Sequence, residues 1–139
     1  MFQIMAIDRL RINTDGPGIR TLVVMAGCPL RCRYCLNPFT WDGRRKPKEM
    51  SPEELYQRIL IDRPYFLATN GGVTLGGGEP LLYPEEILGF TELVDRRFTI
   101  FAETSLAVAA ENVRQVAPYI DRFIVDIKAI DANIYKSYT

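Results

Sequence analysis

The chain has 139 residues, 17 basic and 17 acidic, with no histidine and 47% hydrophobic residues. That is enough for one domain with a real core; the charge balance gives no basic excess to suggest nucleic acid. No apolar run approaches the roughly 18 residues of a membrane helix, and residues 1–11 lack the form of a signal peptide. The reading is therefore of a cytoplasmic protein that works without the commonest general base, through thiolates, carboxylates, lysine and borrowed cofactors.

In chain order, residues 2–7 read as a short opening strand and the β-branched run 21–26 (TLVVMA) as a buried strand. A polar loop then carries all three cysteines and continues to about residue 50. Within it, Arg44-Arg45-Lys46 with Lys48 reads as a solvated basic face. Ser51-Pro52-Glu53-Glu54 is a helix start, with Ser51 as N-cap, Pro52 at the first helical position and Glu54 closing a capping box. The stripe Leu55, Ile59 and Leu60 carries that helix to about residue 63. Strand 72–75 runs into Gly76-Gly77-Gly78, followed by helix 84–94, strand 98–102, helix 106–116, strand 122–127 and a helix over 131–138. Strands alternating with helices predict an α/β fold of βα units on a parallel sheet, either doubly wound or part of a (β/α) barrel. In both, ligands sit in the loops at the carboxyl ends of the strands. The cysteine loop, Gly76-Gly77-Gly78-Glu79, Glu103-Thr104, and Asp126 with Lys128 all fall there.

Cys28, Cys32 and Cys35 form a CxxxCxxC triplet directly after a strand. An odd number of cysteines packed so closely fits a disulfide framework badly. Structural zinc asks for four protein ligands, so three cysteines need a carboxylate or a second chain to close the tetrahedron. An iron–sulfur cluster on three thiolates leaves one iron open to a substrate or cofactor. Spacing favours the cluster and leaves zinc and redox-active thiols as alternatives.

Further motifs accompany the triplet. Asp15-Gly16-Pro17-Gly18-Ile19-Arg20 precedes it; Gly27-Cys28-Pro29-Leu30, Tyr34-Cys35, Asn37-Pro38 and Trp41-Asp42 surround it. Gly71-Gly72-Val73-Thr74, Gly77-Gly78-Glu79-Pro80, Glu103-Thr104-Ser105 and Asp126-Ile127-Lys128 follow. In this order they resemble the glycyl-radical enzyme activating enzymes of the radical S-adenosylmethionine (SAM) superfamily, over nearly the whole chain. The resemblance implies a partial (β/α) barrel with a [4Fe–4S] cluster on Cys28, Cys32 and Cys35, its open iron chelating SAM. It implies reductive cleavage of SAM to a 5′-deoxyadenosyl radical that takes hydrogen from a glycine of a partner enzyme.

By the same resemblance SAM is contacted by Tyr34, Cys35 and Leu36, and its amino group by the turn Gly77, Gly78 and Glu79. Glu103 organises SAM, with a monovalent cation beside it, and Asp126, Ile127 and Lys128 lie near the ribose or carboxylate. The loop from Asp15 to Arg20 is placed near the cluster and the partner's glycine loop. The implied partners are a glycyl-radical enzyme and a flavodoxin- or ferredoxin-like electron donor, with no nucleic acid or membrane. The chain departs from the family in having Leu36 where histidine is usual and Gly76 where serine is common.

Without the resemblance the same residues have plainer readings. The glycines make a tight turn, and Glu103 helps cap a helix through Ser105. Asp126 and Lys128 form a surface pair on a strand whose alternation puts Phe123, Val125 and Ile127 on the other face, against helices. Two functional alternatives stand beside the activase: a radical SAM enzyme with another substrate, and a non-catalytic metal-binding module, which has no use for Glu79, Asp126 and Lys128. Residues 1–139 are expected to form a single radical SAM core that is the N-terminal part of a larger barrel, because a helix pattern is just under way at Thr139. Strand 122–127 is then an unpaired edge.

Overall fold

The computed structural model describes residues 1–94 and 96–139. Among these, six strands form one sheet in the order β3-β1-β2-β4-β5-β6. β1 (Phe2–Ile12) and β2 (Ile19–Met25) make an antiparallel hairpin, and β3 (Lys48–Met50) pairs antiparallel with the start of β1. β4 (Gly72–Gly76), β5 (Thr99–Thr104) and β6 (Arg122–Val125) then follow β2 in parallel. The expected parallel sheet is thus four strands wide, with two antiparallel strands that the βα alternation did not announce. β1 also runs five residues beyond the expected strand, because its charged second half pairs with β2 through a shift of register between Asp8 and Arg11. Such a bulge hides the period-two signal.

α1 (Pro52–Ile59) begins as expected: Ser51 Oγ accepts from Glu54 N at 3.2 Å and Ser51 N donates to Glu54 Oε2 at 2.8 Å. It ends earlier than residue 63, in a 3₁₀ turn over Leu60–Asp62. A second helix, α2 (Arg63–Thr69), follows with Pro64 in its first turn, and Asn70 stops it at φ 52°. α3 (Pro84–Leu93) matches its reading. α4 (Ala110–Val116) starts four residues late, because Leu106 at φ 57° turns the chain before the helix can begin.

One sheet face carries the core: Val23, Met25, Val73, Leu75, Ile100 and Ala102 pack under Leu55, Ile59, Phe66, Phe90 and Val116 from α1 to α4. Fully burying each large apolar side chain contributes about 1.5–3 kcal/mol. β6 is the edge strand, as expected, but ends at Val125. Phe123 packs on the core, whereas Val125 and Ile127 are exposed, against the expectation that both lie under helices. Edge position explains this: among the described residues no helix crosses outward of β6, and α5 (Ala132–Tyr138) turns back to the cysteine loop, where Thr139 O and Tyr138 O accept from Arg31 N and Arg33 N. Asp62 is fully buried and locks the outer layer to the sheet. It accepts from Arg9 (2.5–2.9 Å) and from Thr21 Oγ1 (2.8 Å).

The opposite face presents Arg20, Thr74, Phe101 and Glu103. Arg20 is buried beneath it, donating to Thr74 Oγ1, Thr99 Oγ1 and Val73 O at 2.6–2.8 Å, with its guanidinium 3.6 Å over the Phe101 ring. Burial lowers its pKa to about 10. The hairpin turn before it folds over this face, where Asp15 O accepts from Thr74 Oγ1.

Candidate functional site

The cysteine loop leaves the carboxyl end of β2, and the turns after β4, β5 and β6 leave the same end of the sheet. Parallel pairing alone brings these loops together. Between them lies a cavity of about 380 Å³ lined by Cys28, Cys32 and Cys35 from the first loop, Gly77, Gly78 and Glu79 from the second, Glu103 from β5, and Asp126 with Lys128 after β6. Tyr34 and Leu36 also line it. Ile127, expected among the cofactor contacts, does not; it is 75% exposed outside the cavity. Strand alternation, continuing past Val125, turns it away while its neighbours face in.

The glycine turn is fitted to protein. A Cβ on Gly78 would meet Gly27 O at 2.3 Å and Met25 O at 2.6 Å. That close approach lets Gly78 N donate to Met25 O (3.1 Å) and Glu79 N to Gly27 O (2.7 Å), tying the turn to the root of the cysteine loop. Glu79 is 1% exposed. Its carboxylate accepts from Thr104 Oγ1 (2.6 Å), Ser105 Oγ (2.9 Å), Ser105 N (3.0 Å) and Leu81 N (3.2 Å). Glu79 therefore clasps the loops after β4 and β5 to each other. Glu103 does not cap the following helix through Ser105: α4 starts only at Ala110, with Ala109 as N-cap and no side-chain cap bond, and Ser105 donates to Glu79 instead.

Glu103 is half-buried, and its carboxylate lies where a Gly76 side chain would be: a Cβ there would come within 2.9 Å of Glu103 Oε2. Burial, then the negative charges of Asp15 and Asp126, push the Glu103 carboxyl above its ordinary value. Burial draws Lys128 down, but its hydrogen bond to Asp126 together with the negative charges of Asp126, Cys32 and Tyr34 leaves it raised. Asp126 and Lys128 form an ion pair at the cavity mouth. The Asp15 loop reaches the site through its charge on Glu103 and does not line the cavity.

Sequence reasoning gave Trp41 and Asn37 no role in the site, though both line it. Trp41 Nε1 donates to Cys35 Sγ at 3.5 Å, and Asn37 Nδ2 to Gly77 O at 3.4 Å. A lone tryptophan six residues after a cysteine was the available signal.

Three free thiols on a cavity wall, one buried and two half-buried, suit a metal centre. Burial pushes the Cys28 thiol up, so metal uptake there must displace a proton. Among the described residues no three cysteine or carboxylate side chains are grouped to hold a single metal ion. Three thiolates lining one cavity fit a [4Fe–4S] cluster, three of whose irons would take one thiolate each while the fourth stays open.

Comparisons with known proteins agree with this chemistry. Residues 22–139 match the family described as the Radical SAM superfamily. The pyruvate formate-lyase-activating enzyme of Clostridium pasteurianum is 40% identical over 125 residues, covering 90% of this chain and 52% of that protein. The enzyme of the same name from Staphylococcus aureus (strain USA300) is 37% identical over 128 residues, covering 86% of this chain and 50% of the other. The chain thus spans about half the length of the curated relatives it matches. Among solved structures, QueE from Escherichia coli shares the fold at a TM-score of 0.55 and 20% identity, over 75% of this chain and 52% of that one.

Proposed function

This chain belongs to the radical SAM superfamily, whose cofactors are a [4Fe–4S] cluster and SAM, and on that premise we propose that it acts as a glycyl-radical enzyme activating enzyme, cleaving SAM reductively to generate a glycyl radical on a partner. The observation that carries the reading is the convergence of the three cysteines with Gly78, Glu103, Asp126 and Lys128 on one cavity. When bound, the cluster and SAM together supply a 5′-deoxyadenosyl radical, able to take a hydrogen atom from a glycine of a partner enzyme.

The protein's share is to hold and shape. Cys28, Cys32 and Cys35, as thiolates, would be the three protein ligands of the cluster. Tyr34, Cys35 and Leu36 flank the SAM position from the cysteine loop, and the backbone of Gly77 and Gly78 from the glycine turn. Lys128 and Asp126 offer a charged donor and acceptor at the mouth for the carboxylate and ribose of SAM. Glu103, disfavoured as an anion by burial, would help organise SAM, with a monovalent cation beside it. Glu79 keeps the two loops in register by the four hydrogen bonds described above. The partner enzyme named by the relatives, pyruvate formate-lyase, is the first substrate to try.

Anaerobic reconstitution with iron and sulfide should give a brown protein with one cluster, lost when any of the three cysteines is replaced. With dithionite and SAM it should release 5′-deoxyadenosine, and added pyruvate formate-lyase should acquire a glycyl radical visible by electron paramagnetic resonance. Stoichiometric zinc without iron uptake would return the chain to the metal-binding module. Deoxyadenosine without a glycyl radical would favour another substrate.

A further inference from the structure

The Trp41 ring lines two spaces at once, the cofactor cavity and a second groove of about 390 Å³ against the cysteine loop. The chain brings it there by a tight turn. Pro38–Thr40 form a 3₁₀ helix, Trp41 N donates to Pro38 O at 3.1 Å, and Thr40 O accepts from Gly27 N at 2.7 Å at the root of the loop. Arg31 then clamps the ring. Its guanidinium lies 4.9 Å over the indole while donating to Leu30 O at 2.8 Å and to Cys28 O. An indole N–H needs an acceptor when it is taken out of water. In half-buried Trp41 that acceptor is a sulfur, Cys35 Sγ at 3.5 Å.

We propose that Trp41 sets the reduction potential of the cluster, its indole N–H raising that potential by donating to the Cys35 sulfur. The inference rests on the function proposed above, which makes Cys35 a cluster ligand. Trp41 touches the ligand and takes no part in the bonds that change.

Hydrogen bonds to the sulfurs are among the levers that set the potential of an iron–sulfur cluster. Reduction adds one electron and no proton, so the cluster and its thiolates become more negative. A donor aimed at one thiolate is then held more strongly in the reduced state than in the oxidised one, as charge-assisted hydrogen bonds are the stronger kind. The difference favours reduction. Partial burial strengthens it, because the surrounding dielectric is lower than that of water. The clamp made by Arg31 fixes the donor beforehand, so little has to reorient as charge arrives.

The test is an anaerobic, dye-mediated redox titration of the reconstituted chain, with dithionite as electron source and the cluster's absorbance as readout. Trp41→Phe removes the N–H and keeps a ring. Benzothienylalanine, incorporated at the chain's single tryptophan, keeps the shape of indole and lacks only the N–H. Each should make reduction about tenfold less favourable, which for one electron is a midpoint about 59 mV lower. Phe39→Leu disturbs packing in the same turn, removes no donor, and should leave the midpoint at the parent value. Iron content should be equal in all forms. An unshifted midpoint or lost iron in the benzothienylalanine form, or an equal shift in Phe39→Leu, would overturn the assignment and leave Trp41 as packing. A parent chain that takes up no cluster would overturn the function itself, and this inference with it.

Discussion

Glu103 and the pair of Asp126 with Lys128 hold opposite electrostatic positions on one cavity wall. Glu103 titrates above its ordinary value of 4.5, first because it is buried and then because Asp15 and Asp126 repel it. Its folded form binds a proton more tightly than its unfolded form, so stability falls as pH rises from 4.5 through the raised pKa. Its favourable contribution is complete below that window and absent above it. Glu103→Gln, which cannot ionise, should therefore match the parent in acid and melt at a higher temperature above the window in the metal-free protein. Thermal melts across pH would check this, and a gap that narrows with rising pH would contradict it. Asp126→Ala and Lys128→Ala each remove a charge-assisted hydrogen bond, worth roughly 1.5–3 kcal/mol, or about ten- to a hundredfold in SAM affinity. Because the two side chains are paired, their losses should not add. Equilibrium dialysis with SAM gives the answer, and unchanged affinity in both variants makes them a surface pair.

Where one element meets the next, the fold depends on polar contacts that carry little sequence signal. Asp62 ends the turn after α1 and holds β1 through Arg9 and β2 through Thr21. Asp62→Ala orphans the buried Thr21 hydroxyl, at roughly 1–3 kcal/mol for a buried group left unpaired, and frees the exposed Arg9 guanidinium to water. A melting temperature several degrees lower is expected in a thermal scan, and an unchanged one would mean the lock is slack. Pattern alone cannot single out Asp62, since it sits in an otherwise amphipathic run and looks solvated. The capping box at Ser51, the buried run of β2 and the glycine turn are legible because each is a local rule with residues in fixed order. α2 was hidden by its shortness and by Pro64, which reads as a stop when it is here a start. The late start of α4 depends on the positive φ of Leu106, imposed by hydrogen bonds to Thr104 and Ser105. In the site, the cysteines and the charged strand ends were readable from spacing and alternation. The clasp made by Glu79 was not, because it joins residues 25 and 26 positions apart.

At the scale of the whole molecule, the parallel strands divide the surface by task. One face is covered by helices, the other holds Arg20 and Glu103, and their carboxyl ends carry the cavity. β6, paired on one side only and bearing exposed Val125, closes this arrangement without a cover. At the centre of the carboxyl end stands Trp41, the chain's single tryptophan, in contact with Cys35 Sγ. That placement makes the molecule its own optical gauge. An iron–sulfur chromophore absorbs broadly across the near ultraviolet, so indole emission excited at one site in the chain should be extinguished as the centre is assembled and should reappear as oxygen destroys it. Emission that stays constant while iron is taken up would place the metal away from these thiols.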